Sequence, residues 1–257
     1  MNFFCISISM CTKDVRSMDA PNYDNLANMY EELPVKQGHF LMPQWPFRLI
    51  MLGPSGSGKT NLLMDIIFHY LYFDRLYIYC KGSNENKYAA IKEFMELVAE
   101  KKKVPLSEVF FMGTEKDIPD PNEYDKQYQN LCIYDDMVTL TAREQNNISQ
   151  MYIRGRKENC SSIYLSQSYF KIPKDIREQT NYVVIYRLDD IDDVMRIRRR
   201  HGTRISVKDF LKLYHECTEE KNKFMLLDNR TDELPLAFRK GWDGVLNIGV
   251  LTTIKRV

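Results

Sequence analysis

Residues 53–60 read GPSGSGKT, and no other stretch of this chain restricts the fold as tightly. The pattern G-x-x-x-x-G-K-[ST] works where a strand ends, the backbone wraps around an anion and a helix begins. Both flanks comply. Leu49, Ile50, Met51 and Leu52 form a buried-type strand before the loop, and Leu62, Leu63, Ile66, Ile67 and Tyr70 share one face of a helix expected over 59–72. Glycines at 53, 56 and 58 let the backbone come close to phosphate oxygens with its N–H groups turned inward, and the helix adds its positive end. Gly53, Pro54, Ser55, Gly56, Ser57, Gly58, Lys59, Thr60 and Asn61 are therefore the candidate nucleotide-binding residues. Lys59 is expected to reach the β- and γ-phosphates, and the Thr60 hydroxyl to bind Mg²⁺. With no N-K-x-D motif to read guanine, the expected nucleotide is ATP.

The 257 residues suit one large α/β domain. Residues 1–40 are polar and mixed, with Pro21, Pro34 and Gly38 as breakers, and read as an N-terminal extension holding at most a strand or short helix. Residues 41–257 read as the P-loop domain. Apolar runs at 47–52, 75–80, 109–112, 131–134, 162–165 and 182–186 alternate with helical periodicity at 59–72, 87–101, 141–157, 190–200 and 206–217. Such alternation builds βα units around a mostly parallel sheet flanked by helices. A strand at 224–227 and a last apolar stretch are expected to extend the sheet at its C-terminal edge. Neither internal repeats nor low-complexity segments occur.

Two further strand ends carry polar side chains to the rim where ligands of such sheets bind. The run 131–134 ends in Asp135 and Asp136, a Walker B pattern. Asp135 is placed to hold Mg²⁺ and Asp136 to polarise an attacking water. The alternative is a pair of solvated loop acids, which the phosphate loop makes the weaker reading. The run 162–165 leads into Ser166 and Gln167, and a Gln there can sense the γ-phosphate or orient water; alone it reads equally well as a turn residue. The order phosphate loop, strand-Asp-Asp, strand-Gln is that of a RecA-like, additional-strand ATPase with the Gln strand inserted between the other two.

Thirty-six basic and thirty-five acidic side chains leave a formal charge of +1, so any nucleic-acid contact must be local. One basic cluster, with Arg154 and Arg156 bracketing Gly155, ends the helix over 141–157; it reads as an arginine finger for a neighbouring subunit's site or as a helix C-terminus complementing its own dipole. A second, Arg196, Arg198, Arg199, Arg200 and His201, follows four aspartates; it reads as a DNA phosphate contact or as a solvated helix with i,i+4 pairs such as Asp192 with Arg196. Six scattered cysteines without C-x-x-C pairs and only four histidines suggest reduced thiols, no zinc site and an intracellular setting. The opening MNFFCISISM lacks the basic front of a secretory leader, and no run reaches the length of a membrane span.

GPSGSGKT, LCIYDDM, the RGRKEN segment and above all YLSQSYFKIPKDIREQTNYVVIYRL together resemble the genome-packaging ATPases of poxviruses, other large DNA viruses, virophages and polinton-type elements, within the FtsK–HerA superfamily. The likeness runs from about residue 40 to about residue 242. It implies a RecA-like core, ATP and Mg²⁺ as cofactors, and a homo-oligomeric ring, pentameric or hexameric. It further implies translocation of double-stranded DNA into a capsid, with capsid or portal-vertex proteins as partners, at viral assembly sites in the host cell or on the virion. Residue by residue it implies phosphate and metal roles for Lys59 and Thr60, Mg²⁺ for Asp135, catalytic base for Asp136 and sensor for Gln167. It leaves the finger open between Arg154 and Arg156. Asp136 stands where many of the wider superfamily carry Glu, one methylene longer.

Two other functions compete. A small-molecule kinase would share the G-x-x-G-x-G-K-[ST] form and use the Arg196–Arg200 cluster as a lid, but the paired Asp and the Gln strand argue against it. A nucleotide-gated assembly protein would bind ATP and turn it over negligibly.

Overall fold

The computed structural model describes residues 41–81 and 85–246. The extension expected over 1–40, Cys5 and Cys11 within it, and the last residues of the chain lie outside that range. The elements in chain order are β1 (Arg48–Leu52), α1 (Lys59–Asp65) continuing as a π-helical turn (Ile66–Tyr70), β2 (Arg75–Cys80), α2 (Ala89–Lys102) and α3 (Leu106–Val109). There follow β3 (Phe110–Gly113), β4 (Asn130–Asp135), α4 (Ala142–Arg154), β5 (Cys160–Ser166), α5 (Lys174–Gln179) and β6 (Tyr182–Tyr186). The described residues end with α6 (Ile191–His201), α7 (Val207–Thr218), β7 (Phe224–Asp228), α8 (Leu234–Ala237), β8 (Phe238–Lys240) and β9 (Gly244–Val245).

Among the described residues nine strands join one sheet in the order β3-β2-β4-β5-β1-β6-β7-β8-β9. The six from β3 to β6 are parallel, and β7, β8 and β9 pair antiparallel at the C-terminal edge. The expected strands are all present, with β5 inserted between β4 and β1. Helices cover both faces, so central strands bury side chains of both parities and read as unbroken apolar runs. Leu49 and Met51 of β1 pack with Leu63, Ile67, Ile91 and Phe94 under α1 and α2. Ile50 and Leu52 pack in the opposite core with Ile148 of α4, Ile176 of α5, Val194 and Ile197 of α6 and Phe210 of α7.

Local signals start the helices on schedule. Thr141 and Glu144 form a reciprocal capping box on α4, Asp190 accepts from the Asp192 N–H on α6, and Ser206 caps α7. Three expectations are corrected. The helix over 59–72 is α-helical only to Asp65, because Leu71 N–H bonds to Ile66 O and closes a π turn. The segment 174–179, for which the sequence pattern predicts no element, forms α5, whose single buried residue Ile176 leaves no periodicity to see. Arg196 pairs with Asp193 at 3.4 Å rather than with Asp192, since Asp193 is the acid facing inward. The four described cysteines, Cys80, Cys132, Cys160 and Cys217, are buried free thiols. No described helix is long and apolar enough to cross a membrane.

Candidate nucleotide site

Parallel pairing builds the site from the strand registers. Leu52 of β1 stands opposite Ser166 of β5, and Asp135 of β4 opposite Leu165, so the three strands end level and side by side. The next residues are tied across: Gly53 N–H donates to Ser166 O at 3.2 Å, and Asp136 N–H to Leu165 O at 3.3 Å. A cavity of about 410 Å³ opens over these ends, lined by the loop from Ser55 to Asn61, by Asp135 and Asp136, and by Gln167.

Each loop glycine has its reason. A Cβ on Gly53 would meet Ser57 Oγ at 2.5 Å and Tyr186 Cβ at 2.9 Å, so the loop folds back only over a bare α-carbon. Gly56 and Gly58 have φ of 73° and 95°, left-handed values that L side chains rarely adopt. Gly58 is the residue before α1, whose first-turn N–H groups have no carbonyl partner within the helix and remain available to an anion. Lys59 Nζ donates to Gly53 O at 2.6 Å and Pro54 O at 2.8 Å. Burial lowers its ammonium to about 8, against the opposing pull of the Asp135 carboxylate.

The two aspartates differ. Asp135 is buried, and its Oδ2 accepts from the Lys87 ammonium and from the Tyr88 hydroxyl at 2.8 Å. Asp136 is exposed in the cavity and holds φ 56°, ψ 37°, a left-handed conformation unusual for a residue with a side chain. Gln167 is exposed beside it. The donor set of one hydroxyl, Thr60, and one carboxylate, Asp135, with room for phosphate and water, fits the oxygen coordination that Mg²⁺ takes in nucleotide sites.

Arg154 and Arg156 are not in this cavity. Helix α4 leaves the acidic strand end and returns to the opposite edge of the sheet, where Arg48, the first residue of β1, donates to Tyr152 O at 3.0 Å. With β5 seven residues long, that edge is roughly 20 Å from the phosphate loop. Both arginines are exposed there, Arg154 paired with Asp120 at 3.3 Å. Within one chain they cannot touch the bound nucleotide. The second basic cluster divides: Arg198 donates to Ile205 O at 2.9 Å, and His201 is buried between Tyr169 and Asn229 with burial lowering its imidazole to about 3, so both serve the fold.

Three residues of the site, Lys87 and Asn222 in its lining and Tyr88 behind Asp135, were invisible in the sequence. Lys87 and Tyr88 sit just before α2, and only their placement over Asp135 marks them. Asn222, at φ 63° in the turn between α7 and β7, packs within 3.5 Å of where a Gly58 Cβ would stand. With Lys221 it also borders an adjoining cavity of about 350 Å³, which reaches Pro54, Tyr186 and Arg187 on the other side of the loop.

The poxvirus A32 protein family matches residues 39–232 of this chain. Among solved structures, the genome packaging NTPase B204 from Sulfolobus turreted icosahedral virus 2, in complex with AMPPCP, is 12% identical. It superposes with a TM-score of 0.50 over 76% of this chain and 96% of its own. The same NTPase in complex with ATP-gammaS gives 13% identity, 0.50, and the same coverage. B204 from Sulfolobus Turreted Icosahedral Virus, described as a DNA-packaging ATPase, gives 12%, 0.50, 76% and 96%. At that identity the likeness speaks for the fold, a P-loop ATPase fold. A comparison with curated protein sequences gave no match.

Proposed function

The chain belongs to the poxvirus A32 protein family and is an ATPase of the P-loop class, and from that premise we propose that it moves double-stranded DNA into a viral capsid. The reading rests on one observation above all: Lys59, Thr60, Asp135, Asp136 and Gln167, from three adjacent strand ends, converge on one cavity. The phosphates of ATP take the loop from Ser55 to Thr60, and the nucleoside the adjoining cavity bordered by Arg187 and Asn222. Lys59 turns from its own loop carbonyls to the β- and γ-phosphates. Thr60 and Asp135 would hold Mg²⁺, which would supply neutralisation of the phosphate charge. Lys87, a cation already on Asp135, stands where it can follow the phosphate charge.

Asp136 accepts a hydrogen bond from the attacking water and aims it in line with the γ-phosphate, while Gln167 holds the same water or the γ-oxygens from the neighbouring strand. The carboxylate at 136 suits hydrolysis rather than transfer to a nucleoside, because a kinase must keep water out of that place. The charge developing on the phosphoryl group calls for an arginine, and the chain's own candidates, Arg154 and Arg156, are at the far edge of the sheet. A ring supplies one across a subunit interface. The capsid or a portal-vertex protein is the partner, inside the host cell at viral assembly sites.

Steady-state ATP hydrolysis with and without long duplex DNA tests this, beside Lys59→Ala and Asp136→Asn. A DNA-stimulated rate lost in both variants is expected. Phosphorylation of a nucleoside with no response to DNA would replace the motor by a kinase.

A further inference from the structure

Immediately after Gln167 the chain does something its local sequence does not require. Tyr169 turns inward and is 1% exposed, while Phe170 turns outward and is 60% exposed. The turn is pinned by one buried carboxylate on α6. Asp193 Oδ2 accepts from Ser168 Oγ and from Tyr169 N–H, both at 2.8 Å, and Oδ1 accepts from Phe170 N–H at 3.0 Å. Phe170 is thus held at the surface by three hydrogen bonds behind it, and the Arg196 guanidinium stacks on its ring at 4.5 Å.

Around this ring two helices deliver basic side chains to one groove of about 340 Å³: Lys174 and Arg177 from α5, and Arg196, Arg199 and Arg200 from α6. Glu178 is the only acid lining it, 4.0 Å from Lys174 and 3.9 Å from Arg200. Five cations against one anion, in a chain whose whole formal charge is +1, is a segregated charge rather than a solvated mixture. Sequence patterning alone could not distinguish these, because Arg198 and His201 of the same run face the interior.

We propose that this groove, Phe170 with Lys174, Arg177, Arg196, Arg199 and Arg200, is the surface that grips duplex DNA. The inference rests on the motor reading above and adds to it the place of contact. Guanidinium and ammonium groups neutralise backbone phosphates without reading bases, as a translocating protein requires, and an exposed aromatic edge fits the sugar faces between them. Phe170 stands three residues beyond Gln167, and Asp193 fixes the turn between them through residues 168–170. A change in how Gln167 meets the γ-phosphate therefore reaches the DNA-gripping side chains through one fixed turn.

Binding of the full chain to a fluorescent 30-base-pair duplex, titrated against salt in the presence of a non-hydrolysable ATP analogue, tests this. The double variant Lys174→Ala, Arg199→Ala is expected to bind about tenfold more weakly, with a log–log salt slope shallower by about 2. Phe170→Ala is expected to weaken binding with the slope kept. Nucleotide affinity without DNA, read in the same variants, reports folding. A control double reversal on α2, Lys92→Glu with Lys101→Glu, is expected to leave the slope unchanged. An unaltered slope in the Lys174, Arg199 variant, an equal loss in the α2 control, or loss of oligomer at constant DNA slope would each overturn the assignment, the last giving the groove to a neighbouring subunit. Failure of the unaltered chain to bind duplex at all would remove the motor reading with it.

Discussion

Asp136 combines the proposed catalytic carboxylate with a backbone conformation that costs about 1 kcal/mol or more for any residue with a Cβ. The fold accepts that cost because Asp136 N–H must bond to Leu165 O while the chain leaves β4 for α4. Asp136→Gly is therefore expected to raise the stability of the chain by about 1 kcal/mol in denaturant unfolding while abolishing ATP hydrolysis. A variant both destabilised and inactive would mean that the carboxylate holds the turn instead. Lys59 carries the second residue-level prediction. Its ammonium titrates near 8 in the free chain because burial disfavours the charge, and bound phosphates must raise that value. Nucleotide binding then takes up a proton above pH 8, so affinity falls as pH rises through 8, by at most about tenfold per unit. The same shift has the opposite sign for the unliganded fold: unfolded chains hold the proton up to the ordinary lysine range, so stability rises between pH 8 and 10.5. Fluorescent-nucleotide titrations from pH 7 to 10 check the first, with Lys59→Ala weak and flat; a flat profile in the unaltered chain would count against it.

Between elements, Asp193 of α6 ties that helix to the turn that follows β5. Asp193→Ala strands the buried Tyr169 N–H and the half-buried Phe170 N–H and is expected to cost about 1–3 kcal/mol. A purely structural role would end there. A positioning role also lowers kcat of ATP hydrolysis at unchanged nucleotide affinity, since Lys59 and its loop lie on another strand. Asp193→Asn, which keeps one acceptor oxygen, should recover part of kcat; equal loss of affinity and rate would reduce Asp193 to a structural residue. This link also marks the limit of sequence reading. The strands and the phosphate loop were legible because an apolar run followed by glycines has few other uses, and β5 could be placed between β1 and β4 from the Gln at its end. Lys87 and Asp193 were not legible. Each is an ordinary charged residue in an ordinary charged stretch, and its meaning comes from a partner 48 residues away, Asp135, or 23 to 25 away, in residues 168–170. Helix α5 was missed because a six-residue helix with one buried side chain has no period to detect.

At the scale of the whole molecule, one chain carries the phosphate loop and the proposed arginine finger at opposite edges of its sheet. The phosphate loop and acidic pair lie at the carboxyl edge of the sheet, and Arg154 and Arg156 at its amino edge, exposed. Arg156 is close enough to Arg48 for its charge to help burial lower that guanidinium. Arg156, exposed and near another cation, gains nothing from that neighbour for the isolated fold, and Arg154 has an exposed pair with Asp120 worth little. A ring in which one subunit's amino edge faces the next subunit's phosphate loop gives them a use. Lys59→Ala and Arg156→Ala are each expected to reduce hydrolysis by about a thousandfold or more. Mixed and reassembled in equal amounts, the two dead variants should regain activity, because about a quarter of the interfaces then join an intact Lys59 site to an intact Arg156. Recovery with Arg154→Ala in place of Arg156→Ala would move the finger by two residues, and no recovery with either would leave hydrolysis to the residues of a single chain.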